Sequence, residues 1–224
     1  MESLVVLNTG PLGVNTYIVP LAKDAVLIVD PAACTFTDDE TKITGWLDEH
    51  KKRPAGIFLT HSHFDHITGL AVLKKAFPDC AIAVHKSEAC MLNGEAQVAS
   101  FGLRQLAAAF QDMPRADKTV AGGETLDAVF TDERDAEVAA ALSQWKILHT
   151  PGHSTGSLCL YNAERGELIS GDTVFYRSYG RTDLPGGDEA AIHKSLLTLK
   201  ETLPRDTRVY PGHDYYGFPL SENY

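Results

Sequence analysis

The sequence predicts an α/β layered fold, and three observations carry that expectation. Short, almost wholly apolar runs such as Ala25-Val26-Leu27-Ile28-Val29 recur along the chain, as in strands covered on both faces. Segments of helical periodicity separate these runs. Polar residues of metal-binding type stand where several runs end, at the position where open α/β sheets place their sites.

In chain order, the candidate strands are LVVL (4–7), TYIV (16–19), AVLIVD (25–30), GIFLTH (56–61), AIAVH (81–85), WKILHT (145–150), SLCLY (157–161), ELISGD (167–172) and RVYPGH (208–213). Each is too short for a typical helix, and most are rich in β-branched residues. Helices are expected near residues 39–51, 70–77, 87–110, 133–144 and 189–203, where apolar residues return every three or four positions. The acidic run Asp38-Asp39-Glu40 reads as a helix N-terminus favoured by the helix dipole. Residues 119–143, part polar and part alanine-rich, leave both a hairpin and a helix open. No repeat, low-complexity tract or Pro/Gly-rich linker marks a boundary, so residues 1–224 are expected to form one domain.

Composition narrows the function classes. An apolar content of 44% over 224 residues supports one sizeable core. The net charge of -10 argues against nucleic-acid or anionic-lipid partners. The N-terminus has no basic segment leading into a long apolar one, and no apolar run approaches membrane-spanning length, which predicts a cytoplasmic protein without membrane contact. Cys34, Cys80, Cys90 and Cys159 form no CxxC pair, a pattern expected of reduced thiols used in packing. The oligomeric state stays open.

The stretch Thr60-His61-Ser62-His63-Phe64-Asp65-His66 places three imidazoles and a carboxylate side by side. Such a density of donors is unfavourable unless a metal ion compensates it. In an extended loop, His61 and His63 point to the same side and can reach one ion. Farther along, WKILHTPG leads to His153, ELISG to Asp172 and RVYPG to His213. Glycine and proline beside these donors supply tight turns that aim a side chain inward. His50, His85, His149 and His193 read as structural or exposed, with His85 the exception to watch because its strand ends near the same edge. No GxSxG elbow or Cys/His pair competes.

In this order, THSHFDH, TPGHS, SGDT and YPGH resemble the metallo-β-lactamase superfamily over most of the chain. The resemblance implies a four-layered αβ/βα sandwich with its metal site along one edge between two sheets. It further implies that His61, His63 and His153 hold a first ion, that Asp65, His66 and His213 hold a second, and that Asp172 bridges them. Asp30, in LIVDP, matches an early aspartate that fixes a ligand or the motif loop by hydrogen bonding; capping a turn is its other reading. Zinc is the first expectation for the two ions, and iron or manganese also suits N/O donors.

Paired ions about 3.5–4 Å apart lower the pKa of a shared water and polarise a carbonyl, which makes hydrolysis the expected chemistry with Asp65 and Asp172 at its centre. GRTDLPGGD (180–188) is similar to the segment following the bridging aspartate in glyoxalase II-like enzymes, so the expected substrate is a small acyl thioester such as S-lactoylglutathione. Where that pattern has a lysine with a nearby tyrosine, this chain has Gly180-Arg181-Thr182-Asp183; Arg181 is the candidate for substrate binding and the tyrosine is missing. FDHITG and HDYYGF are similar to persulfide dioxygenases instead, in which His61, His153 and Asp172 would hold one iron. A metal-binding protein without activity is the third alternative.

Overall fold

Alternation along the apolar strands sorts their side chains into three separate cores. The computed structural model describes residues 2–92, 107, 110 and 112–223. One sheet contains β1 (Val5–Thr9), β2 (Val14–Pro20), β3 (Ala25–Val29), β4 (Arg53–Phe58), β5 (Ile82–His85) and β6 (Lys118–Val120), paired in that order. Its first two pairings are antiparallel and the rest parallel. The second sheet is built from β7 (Trp145–His149), β8 (Leu158–Asn162), β9 (Glu167–Gly171), β12 (Arg208–Pro211) and β13 (Phe218–Pro219), in the order β13-β12-β9-β8-β7. Strands β10 (Val174–Phe175) and β11 (Ser178–Tyr179) form a small hairpin between β9 and β12.

Tyr17, Val19, Leu27, Val29 and Phe58 point from the first sheet into the core it shares with Trp145, Ile147, Leu158, Leu160, Ile169 and Tyr210 of the second. The alternate residues Ile18, Val26, Ile28 and Ile57 face outward onto α1 (Lys42–Glu49), α2 (Phe64–Ile67) and α3 (Leu70–Ala76). On the far side, Cys159, Leu168 and Val209 pack under Ile192, Leu196 and Leu199 of the long helix Glu189–Thr202. Helix, sheet, sheet and helix therefore follow one another, which is the four-layered sandwich expected. Both faces of the central strands are buried, and that is why their sequences carry no polar alternation.

All nine expected strands are present. The uncertain segment after Val120 resolves into two short helices, α4 (Leu126–Val129) and α5 (Ala136–Ser143), which close the edge of the central core through Leu126, Val129, Val138 and Leu142. Asp135 caps α5 by accepting from Glu137 N–H, and Asp188 caps the last helix, α6, by accepting from Ala191 N–H. Of the helix expected over 87–110, the part at Ala89–Met91 is a single 3-10 turn and most of the remainder lies outside the described residues.

The acidic run is corrected. Helix α1 starts at Lys42 with no acidic residue in its first turn. Asp39 instead accepts from the backbone N–H groups of Gly10 and Cys34, at 2.8 and 2.7 Å, and from the Thr37 hydroxyl at 2.6 Å. Local donors satisfy the carboxylate better than a helix end still three residues away.

Cys34, Cys80 and Cys159 are buried and Cys90 is exposed, all as free thiols. Among the described residues no helix is long and apolar enough to cross a membrane. Trp145 is 1% exposed and fills the space between the sheets. Replacing it with Ala is expected to lower unfolding stability by about 3–5 kcal/mol in a urea titration; a loss below about 1 kcal/mol would show that the central core is not close-packed there.

Candidate metal centre

Four loops meet at one edge of the sandwich because parallel strands in each sheet run toward it. β4 leads into Thr60 and the HSHFDH loop, β7 leads to His153, β9 to Asp172 and β12 to His213. The pairing β3/β4/β5 is parallel, as is β9/β12, so their carboxyl ends lie side by side. Gly212 is needed at this junction: a Cβ there would stand 2.2 Å from Asp172 Oδ1 and 2.7 Å from His66 Cε1.

The structure brings the seven sequence-derived donors into two touching groups. His61, His63 and His153 place one donor atom each within 4.8 Å of the others, and Asp65, His66 and His213 do the same. The imidazole ring centres of the first group stand 4.5–4.8 Å apart. Asp172 reaches both groups, with Oδ2 3.5 Å from His153 Nε2 and 3.7 Å from His213 Nε2, and Oδ1 3.5 Å from His66 Nε2. A third grouping, Asp30 with His61 and His66, is a support. Asp30 already accepts from Thr60 N–H at 2.8 Å and from the Thr60 hydroxyl at 2.6 Å, and its Oδ2 takes His66 Nδ1 at 3.0 Å.

Acceptor-only partners fix which ring nitrogen is free. Asp30 holds His66 Nδ1, the carbonyl of Arg181 holds His153 Nδ1 at 2.8 Å, and the carbonyl of Leu12 holds His213 Nδ1 at 3.2 Å. None of these partners can donate, so each Nδ1 carries a hydrogen and Nε2 is the ring nitrogen turned toward the cluster, the one a cation would take. Asn15 side-chain N–H groups donate to the carbonyls of Pro211 and Asp214, and the Tyr17 hydroxyl donates to Pro211 at 2.6 Å. The first sheet thereby clamps the turn that carries His213.

Fit to a metal can be read from what is left unsatisfied. His61 Nε2, His153 Nε2 and Asp172 Oδ1 are buried without a hydrogen-bond partner, a state that is unfavourable by roughly 1–3 kcal/mol per group. All three belong to the donor cluster, and a cation would satisfy them together. Charge agrees: burial works to lower the His66 pKa, but the carboxylates of Asp65, Asp172 and Asp30 outweigh it and raise it to about 10. His213 is raised too, against its burial, by Asp65 and Asp172. Burial tends to raise Asp65, yet His66 and His213 hold it well below the usual carboxylate range. His63 is lowered to about 4 by burial and by His153, and His61 is lowered by burial and its neighbouring imidazoles. The His66 end thus binds a positive charge, and the His61 and His63 rings stay neutral as ligands must.

His63, Asp65, His153, Asp172 and His213 form one wall of a cleft of about 790 Å³. Leu12, Phe64, Phe175, Tyr176, Leu184 and Tyr215 make its apolar surface. Arg181 lines the cleft as expected, but its guanidinium is held by both Asp183 oxygens at 2.7 and 2.8 Å. His85 does not reach the cluster; it stacks on His149 with ring centres 4.4 Å apart. Glu88, three residues beyond His85, was not singled out by sequence, although it follows a strand end as the donors do. It is buried against the HSHFDH loop.

Residues 9–213 match the family model described as Metallo-beta-lactamase superfamily. The chain belongs to the metallo-β-lactamase superfamily. Within it, the chain is 32% identical to the probable metallo-hydrolase YqgX of Bacillus subtilis over 91% of its own length and 86% of that protein. A Dictyostelium discoideum protein named Glyoxylase B2 is 28% identical over 81% of this chain and 56% of its own length. Among solved structures, TTHA1623 in a di-iron-bound form superposes with a TM-score of 0.78 at 30% identity, covering 98% of this chain and 96% of that one. The BLEG-1 B3 metallo-beta-lactamase superposes at 0.80 with 26% identity, covering 98% and 95%.

Two outcomes are expected of the centre. Asp172→Ala should lower bound metal and activity together by at least about tenfold, because one carboxylate serves both groups; elemental analysis showing unchanged metal with full activity would remove Asp172 from the centre. Metal uptake at pH 7 should release at least one proton per chain, since His66 is protonated below about 10 without metal. Apparent affinity should accordingly rise with pH. Calorimetry in buffers of different ionisation enthalpy reads the proton count, and a count of zero would contradict this charge assignment.

Proposed function

We propose that this superfamily member is a zinc-dependent hydrolase of a small acyl thioester, with S-lactoylglutathione as the first substrate to test. The observation that carries the hydrolase reading is the convergence of His61 Nε2, His153 Nε2 and Asp172 Oδ1, buried and unpartnered, in a donor cluster of which His153 and Asp172 line a cleft large enough for such a molecule. Two ions held there would supply an activated water and a Lewis acid for the carbonyl. The name of the Dictyostelium relative supports the thioester, as does the similarity of residues 180–188 to glyoxalase II-like enzymes.

The chain's own residues would do the rest. His61, His63 and His153 would hold one ion, Asp65, His66 and His213 the other, and Asp172 would keep the two together. Asp65, held well below the usual carboxylate range by His66 and His213, would offer a carboxylate oxygen on the second group as a proton acceptor. Phe175, Tyr176 and Tyr215 line one side of the cleft and would hold the acyl-thiol by apolar contact, excluding water once it is bound. Arg181 would anchor a substrate carboxylate once the pair with Asp183 opens. The di-iron form of TTHA1623 favours iron as a second metal identity; the persulfide dioxygenase alternative rests on the similarity of FDHITG and HDYYGF and needs one iron only.

Oxygen dependence separates the two. Zinc has no accessible second oxidation state, so the zinc-loaded protein is expected to cleave the thioester at equal rates with and without dioxygen. Arg181→Ala should raise KM about threefold with little change in kcat, the pattern of an exposed anchor. An iron-loaded protein that consumes dioxygen with a persulfide while the zinc form cleaves no thioester would replace the proposal by the dioxygenase. Bound metal with neither activity would leave a binding protein.

A further inference from the structure

Glu88 is a carboxylate only 1% exposed, on a turn that contributes no metal donor. It follows β5 and precedes the 3-10 turn at Ala89–Met91. Its Oε2 accepts from Ser62 N–H at 2.7 Å and from the Ser62 hydroxyl, and its Oε1 accepts from Gly156 N–H at 3.0 Å. Ser154, in the same loop as Gly156, helps to hold the carboxyl below its ordinary range. Ser62 stands between His61 and His63, and Ser154 immediately follows His153. One carboxylate therefore joins the two loops that carry all three imidazoles of the first donor group.

A second observation shows that the loop is shaped around this side chain. A Cβ at position 156 would lie 2.2 Å from Glu88 Cγ and 2.8 Å from His85 Nδ1, so only glycine lets the carboxylate pass beneath the His153 loop. The bonds are charge-assisted, which makes them roughly twice as strong as neutral ones. Burial works against ionisation of Glu88, but the Ser154, Ser62 and Gly156 donors outweigh it and keep the carboxyl below its ordinary range. Asp30 is the counterpart on the other side, touching His66 of the second group.

We propose that Glu88 is the positioning residue of the three-imidazole site, setting how His61, His63 and His153 present their ring nitrogens, and that its influence does not extend to the Asp65, His66 and His213 site. The inference rests on the metal centre and is indifferent to the substrate. A polar group of the same shape cannot take its place: a glutamine amide has one acceptor oxygen, so either the Ser62 or the Gly156 N–H would face an N–H₂ group.

The test isolates each site. His213→Ala leaves the three-imidazole site, and His63→Ala leaves the other; Zn²⁺ affinity is measured in each background by competition with a chromophoric chelator, and Co²⁺ absorption reports ligand geometry. Adding Glu88→Gln should weaken Zn²⁺ binding at least about tenfold in the His213→Ala protein and change its Co²⁺ spectrum. In the His63→Ala protein the change should stay under about twofold. Equal losses in both backgrounds, or none in the first, overturn the proposal. Should Glu88→Gln fail to fold, Ser62→Ala removes only the hydroxyl bond, and a loss of about threefold confined to the three-imidazole site is then expected, with no loss counting against the proposal. A protein that behaves in this way yet cleaves no thioester refutes the functional reading and leaves the role of Glu88 standing.

Discussion

Burying imidazole nitrogens and carboxylates together without water is tolerable only if a cation joins them, and that requirement organises the whole edge between the two sheets. An unpartnered buried acceptor is unfavourable by roughly 1–3 kcal/mol, and three such atoms belong to this cluster. The lone pairs and carboxylate charge gathered there attract a cation. Hence His66, although fully buried, has its pKa driven up by Asp65, Asp172 and Asp30. A proton answers the demand of that one ring; it cannot satisfy both groups at once.

Holding the donors in that geometry requires contributions from both sheets. The end of β3 supplies Asp30, the β1–β2 turn supplies the Leu12 carbonyl, and the segment after β11 supplies the Arg181 carbonyl. Each is an acceptor that settles the tautomer of one histidine. Asn15 and Tyr17 of β2 grip the carbonyls around His213 across the sandwich. The central core of Tyr17, Phe58, Trp145 and Ile169 keeps these partners at fixed separation. Packing there acts on the metal centre without touching it, because a shift of one sheet against the other would pull His213 away from Asp65, now 3.2 Å distant.

Much of this was legible in the sequence, for identifiable reasons. Strands buried on both faces read as largely apolar runs, so β3, β8 and the apolar stretches of β2, β4 and β9 stood out from exposed structure. The donors were legible because THSHFDH and the three Gly-flanked turns are unusual in composition as well as order. β10, β11 and β13 span two residues each, too few for any alternation to register. Asp39 misled because an acidic run is the same whether it serves a helix dipole or braces a loop; only the nearby N–H groups of Gly10 and Cys34 distinguish the two. Glu88 left no mark since a single glutamate after a strand is ordinary, and its importance lies in Ser62 and Gly156, 26 and 68 residues away in the chain. Arg181 was read for its guanidinium, whereas the contact it makes with a donor is through its backbone carbonyl.

Superfamily membership gives the chemistry of the centre and stops short of the substrate. The relatives bear names as different as metallo-hydrolase, glyoxylase and metallo-beta-lactamase, so discrimination has to reside in the cleft wall, away from the donors. Here that wall is mostly apolar, and Leu12 and Tyr215 are 56% and 62% exposed along it. Apolar surface held open to water at a cleft gains free energy from any ligand that covers it. Charge works differently in this cleft. The Arg181 guanidinium already has a bidentate partner in Asp183, so an incoming carboxylate exchanges one ion pair for another and gains little net free energy. An apolar group laid against Leu12 and Tyr215 has no ion pair to displace, and contact with that wall therefore separates one ligand from another more strongly than an anionic group they share.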